Sequence, residues 1–183
     1  AVLVPQKFNH RRPQTKIVGG RPTTVQVHPY IGSLRYDSNH VCGASIISRT
    51  FMITAGHCVE DAEGYKLSVR LGSSYNDQDG RIIEVKRFIQ HPRFNSATDD
   101  FDYALLELTE SINFTKSMRP VRLPAQNQQF DDETVTIVAG WGDTSNDFDT
   151  DHQLRQVQDP IYNHQRCIED YKKQDNEITD RMI

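Results

Sequence analysis

From Tyr30 onward the chain is cut into short apolar segments, each closed by Gly, Asn, Asp, Ser or Pro. They run Tyr30-Ile31-Gly32-Ser33-Leu34, Ala44-Ser45-Ile46-Ile47, Phe51-Met52-Ile53-Thr54, Leu67-Ser68-Val69-Arg70-Leu71, Ile82-Ile83-Glu84-Val85 and Tyr103-Ala104-Leu105-Leu106-Glu107-Leu108. Several are β-branched or alternate apolar with polar residues. Many short strands separated by turn signals predict an all-β sandwich or barrel. A length of 183 residues allows one fair-sized core or two small ones.

The flanking segments set the organisation. Residues 1 to 16 are polar, carry Pro5 and Pro13, and show no periodicity, so they read as an extended leader. The character changes at Ile17-Val18-Gly19-Gly20. After Leu123-Pro124 comes a polar stretch from Ala125 to Glu133, then a strand pattern over Thr134–Gly140, which places a boundary between residues 110 and 130. Tyr162 to Asp175, with Arg166, Cys167, Glu169 and Lys172, predicts a helix.

Composition removes several functions. A hydrophobic fraction of 36% fits a folded protein, and a net charge of −4 argues against a nucleic-acid binder. The basic cluster His10-Arg11-Arg12 reads as a solvated tail. No apolar run is long enough to predict a membrane helix, and no signal-peptide pattern is present. Neither Cys-x-x-Cys nor His-x-x-x-His occurs, so no metal site and no cofactor are predicted. Three cysteines are an odd number, leaving a free thiol or a missing partner.

Thr54-Ala55-Gly56-His57-Cys58 puts a histidine at the end of an apolar strand. A disulfide from Cys58 to Cys42 would close a loop worth about 3 kcal/mol and pin the backbone presenting His57. A general base needs such pinning, because it must stay within hydrogen-bond reach of the proton it removes. Asp102, in Asp99-Asp100-Phe101-Asp102-Tyr103-Ala104, opens an apolar strand and can be drawn inward. Beside a histidine it would fix the imidazole tautomer and stabilise the imidazolium. Taken singly, His57 also fits a packed or surface histidine and Asp102 a loop carboxylate.

Together these motifs resemble the trypsin/chymotrypsin family of serine proteases. The matches run in family order: Ile17-Val18-Gly19-Gly20, Pro29-Tyr30, Cys42-Gly43-x-Ser45, Thr54-Ala55-Gly56-His57-Cys58, His91-Pro92, Asp102-x-Ala104-Leu105-Leu106, Leu123-Pro124 and Gly140-Trp141-Gly142-x-Thr144. The resemblance covers everything after the leader. It implies two antiparallel Greek-key β-barrels, residues 17–120 forming the first and 121–183 part of a second. His57 becomes the general base and Asp102 its orienting acid, two members of a Ser-His-Asp triad. Cleavage between Lys16 and Ile17 would make residues 1–16 an activation peptide and the protein a zymogen. Cys42 would pair with Cys58. Gly56 departs from the family's commoner alanine, and Ala44 from a glycine. The family's calcium-loop glutamates have no match from Arg70 to Gly80, so no calcium is expected. The pattern looks closest to invertebrate digestive members, of the mite or insect kind.

The family places next after the Ile183 position a cysteine that would pair with Cys167, and later the nucleophilic serine in Gly-Asp-Ser-Gly-Gly. Neither is among the 183 residues, so this polypeptide alone is expected to be inactive, with Cys167 unpaired. The resemblance implies a secreted endopeptidase cutting after Lys or Arg. Its partners would be protein or peptide substrates, an activating protease and protein protease inhibitors, with neither nucleic acid nor membrane among them. Asn113-Phe114-Thr115 is a glycosylation sequon. The alternative function is a catalytically inactive homologue that binds without cleaving; a regulatory cascade protease would share the chemistry.

Overall fold

The computed structural model describes residues 17–142, 152–173 and 177–182. The leader, Lys16, Thr144 and Ile183 lie outside them. Six antiparallel strands close into a barrel: β2 (Ile31–Tyr36), β3 (Asn39–Ile46), β4 (Phe51–Thr54), β5 (Leu67–Leu71), β6 (Arg81–Gln90) and β7 (Ala104–Leu108), in the order β2-β3-β4-β7-β6-β5. The predicted alternation accounts for the interior, since Leu34, Ile46, Met52, Val69, Leu71, Ile83 and Leu106 are essentially inaccessible. Gly32 lies where β2 crosses this core, and a side chain there would have to displace its neighbours. A Cβ there would sit 2.5 Å from Leu71 Cδ2 and 2.9 Å from Met52 Cε.

A second, three-stranded antiparallel sheet is built from β1 (Arg21–Pro22), β9 (Arg155–Pro160) and β8 (Val135–Gly140), in the order β1-β9-β8. Among the described residues it does not close into a barrel. Helix α1 (His164–Lys172) follows β9, within the segment predicted helical. The Asn163 side chain caps it by accepting from Arg166 N–H. Sheet and barrel meet through a small core of Val25, Ile31, Trp141 and Leu154.

The loop after β5 forms the other half of that junction. The Ser74 carbonyl accepts from Leu154 N (2.8 Å) and Trp141 Nε1 (3.2 Å), and its hydroxyl accepts from Val25 N (3.0 Å). The loop wraps the guanidinium of Arg70, which donates to the carbonyls of Asn76 (3.1 Å), Asp77 (3.0 Å) and Asp79. A planar fork of donors suits several carbonyls at once, and it fills the stretch whose sequence offers no match to calcium ligands.

Candidate active site

Register brings the two candidate residues together at one end of the barrel. β4 pairs with β7 so that Thr54 faces Ala104, and β6 ends with Gln90 facing the same residue. The chain leaves β4 at Thr54 and turns through Ala55 and Gly56 into His57. On the neighbouring strand, Asp102 lies two residues before Ala104. Residues 45 positions apart in sequence are therefore side by side.

Both oxygens of Asp102 are engaged by His57. Oδ1 accepts from the His57 backbone N–H at 2.7 Å, and Oδ2 faces His57 Nδ1 at 2.8 Å. A carboxylate can only accept, so Nδ1 carries the proton and Nε2 is left as the basic nitrogen. Nε2 lies 3.5 Å from Cys58 Sγ. The side chains are 36% and 23% exposed, so the pair sits at the surface with Asp102 on the inner side.

The backbone around His57 is pinned at several points. Cys42 and Cys58 are joined in a disulfide, with Cα atoms 6.2 Å apart. The Gly56 carbonyl accepts from Gln90 Nε2 (2.9 Å), that of Gly43 from Thr54 Oγ1 (2.8 Å), and that of Cys58 from the Tyr36 hydroxyl. Phe94 covers the turn. A Cβ on Gly56 would come within 3.1 Å of its ring and 3.2 Å of Asp102 Oδ1, which gives the departure from alanine a local counterpart. Gln90, Tyr36 and Phe94 carry no motif, and only the folded structure brings them to His57.

Cys42, His57 and Cys58 are the one close group of metal-ligating residue types among the described residues. Their sulfurs are bonded to each other and offer no thiolate. Ile17 is buried. Cys167 is a half-buried free thiol on α1, and Asn113 is exposed in the loop after β7. An open cleft of about 390 Å³ runs beside Asp102 between the barrel and β8, bordered by Tyr30, Ser45, Thr54 and Ala139. No described helix is long and apolar enough to cross a membrane.

A closed antiparallel barrel with a histidine–aspartate pair at one end and a second sheet beside it is the architecture of trypsin-like proteins. Residues 17–183 match the family model described as Trypsin. The chain is 36% identical to Trypsin 5G1 of Aedes aegypti over 177 residues, covering 96% of this chain and 66% of that protein. It is 35% identical to Trypsin of Phaedon cochleariae, covering 85% and 61%. Among solved structures it superposes on a scabies mite inactivated protease paralogue, S-D1, with a TM-score of 0.78 and 26% identity, covering 86% of this chain and 67% of the other. The chain belongs to the trypsin family of serine proteases, and the insect relatives fit the invertebrate character of its sequence. It spans about two thirds of the length of the curated relatives named here.

Proposed function

We propose that the whole protein is a secreted serine endopeptidase in which His57 is the general base and Asp102 its orienting acid. The observation that carries this is the double engagement of Asp102, at 2.7 and 2.8 Å, with the backbone and ring of one histidine. His57 would take the proton of a serine hydroxyl as it attacks the scissile carbonyl. It would then return that proton to the leaving amine, and water would clear the acyl-enzyme by the same route. The serine would come from the family's Gly-Asp-Ser-Gly-Gly segment, and the 183 residues alone would not turn over substrate. Cleavage between Lys16 and Ile17 would activate the protein, and Lys or Arg would be preferred at the cut. Cys167 would pair with the cysteine that the family places after the Ile183 position.

The test uses the full-length protein, activated by trypsin, on Lys and Arg ester substrates. Asp102→Asn should lower kcat by about 10⁴-fold, since it inverts the tautomer that Asp102 enforces. Equal activity of the variant and wild type would refute the assignment.

A second reading, a binding protein without catalysis, is favoured by the structural likeness to a mite protease paralogue described as inactivated. A fluorophosphonate that labels activated serines separates the two. Stoichiometric labelling of full-length protein supports the enzyme, and none supports the binding homologue.

A further inference from the structure

The turn that delivers Asp102 is held from outside the barrel. Asp99 and Phe101 lie at φ 53° and 54°, a left-handed backbone that residues with side chains adopt only where neighbours over-determine it. Two such residues flank Asp100 immediately before Asp102. Inside the loop, Asn95 N donates to the Asp100 carbonyl (3.0 Å) and Tyr103 N to that of Phe101 (2.8 Å).

The remaining restraints converge on the same two residues. Arg181 Nε and Nη2 donate to the two carboxylate oxygens of Asp100 at 2.8 and 2.6 Å, and Thr179 Oγ1 donates to Oδ1 at 3.0 Å. Hydrogen bonding from Arg181, and then from Thr179, holds the Asp100 carboxyl below the usual carboxylate range. The Arg181 guanidinium also lies 4.4 Å from the centroid of the Phe101 ring, where Arg93 sits at 4.1 Å. His91 stacks on that ring at 4.6 Å with planes 7° apart. One side chain from the segment 177–182 thus grips both residues that precede Asp102, one by a bidentate fork and the other by cation–π contact.

We infer that Arg181 is a positioning residue for Asp102, acting through Asp100 and Phe101. This rests on the assignment of Asp102 as the group that orients His57. Without the fork on Asp100, its neighbours Asp99 and Phe101 can relax out of the left-handed region and rotate the peptide entering Asp102. The carboxylate bridges two nitrogens of one residue, so a displacement well under an ångström lengthens one bond or the other.

The test reads the bond directly in the whole chain, through solvent exchange of the His57 Nδ1–H in protein labelled with ¹⁵N-histidine. Loss of the resonance in His57→Gln assigns it among the seven histidines. Arg181→Met should exchange about tenfold faster or more, as expected when the two charge-assisted hydrogen bonds of the fork no longer oppose local opening, with Trp141 emission unchanged. Arg181→Lys should recover part of the protection, because a single ammonium restores charge without the fork. If Arg181→Met shifts Trp141 emission and so is not folded, Arg181→Gln takes its place with the same expectation. Wild-type exchange in the folded variant overturns the inference. Asp102→Asn is the control for the site itself. If it too exchanges like wild type, the assignment of Asp102 fails; if it alone loses protection, only the role of Arg181 does.

Discussion

Replacing Arg70 by methionine removes the fork at the centre of the loop after β5 while keeping most of the aliphatic volume. Three carbonyls lose a charged donor. Asp77 and Asp79 are exposed, so their carbonyls can return to water, whereas Asn76 is only 4% exposed and bears most of the cost. Removal of the charge also relieves Arg35, whose pKa is lowered by burial and then by Arg70. Hydrogen bonds to charged groups contribute about 1.5–3 kcal/mol each. With one bond lost outright, two partly replaced and some repulsion relieved, Arg70→Met should cost about 3 kcal/mol. For a chain of this size that is roughly 6–12 °C in Tm. Trp141, the only tryptophan, donates to the Ser74 carbonyl in the same loop, so its emission should shift red below the main transition seen by far-UV circular dichroism. Arg70→Lys should recover less than half the loss, because one ammonium cannot span three carbonyls. A Tm within about 2 °C of wild type for Arg70→Met, or full recovery by lysine, would refute the reasoning.

Three further outcomes are expected. His40 has its pKa lowered from 6.5 to about 4, by burial first and then by His152 and Arg35. The unfolded chain therefore binds the extra proton across that window, and stability should fall by up to about 3 kcal/mol between pH 6.5 and 4. Urea midpoints at about pH 7 and 4.5 should show a smaller drop in His40→Asn, and an equal drop in both would count against this. Removing the Cys42–Cys58 disulfide with the double serine variant should cost about 3 kcal/mol in the same titration and speed amide exchange at His57 and Cys58; unchanged exchange would mean the other bonds suffice to pin the turn. Gly56→Ala should cost about 1–2 kcal/mol by overpacking, and the double variant with Phe94→Leu should recover most of it; simple additivity in the double-mutant cycle would show that Phe94 is not what crowds the methyl.

The barrel is legible in the sequence because most of its strands carry apolar residues at alternate, inward positions. Phe51–Thr54 and Leu67–Leu71 have the predicted limits. Strands whose stability comes from pairing rather than burial are not legible. β9 reads Arg-Gln-Val-Gln-Asp-Pro, with Gln156 its one buried residue, and owes its form to backbone bonds with β1 and β8. The first half of β3, Asn39–Gly43, holds no fully buried residue and escapes the pattern for the same reason. At the site, His57 and Asp102 stand out as motif residues. Gln90, Tyr36, Phe94 and Arg181 do not, because their roles arise only when distant segments meet. Arg70 sits in an apolar strand as an apparent exception, and only the loop folded over it makes its burial intelligible.

The pairing of β1 with β9 ties residues about 130 positions apart. At roughly 5–20 residues per second, synthesis of β9 follows that of β1 by about 7–26 seconds. The barrel strands lie between them in sequence and can pair before β9 exists, whereas Arg21 and Pro22 must wait. Burial of Ile17, next to Gly20 and Gly140, would then belong to the last step of assembly. A ribosome-bound chain ending near residue 130 should leave residues 17–22 open to an added protease after the barrel has become resistant. The N-terminal segment would in that sense be a timer, recording when the second sheet has formed.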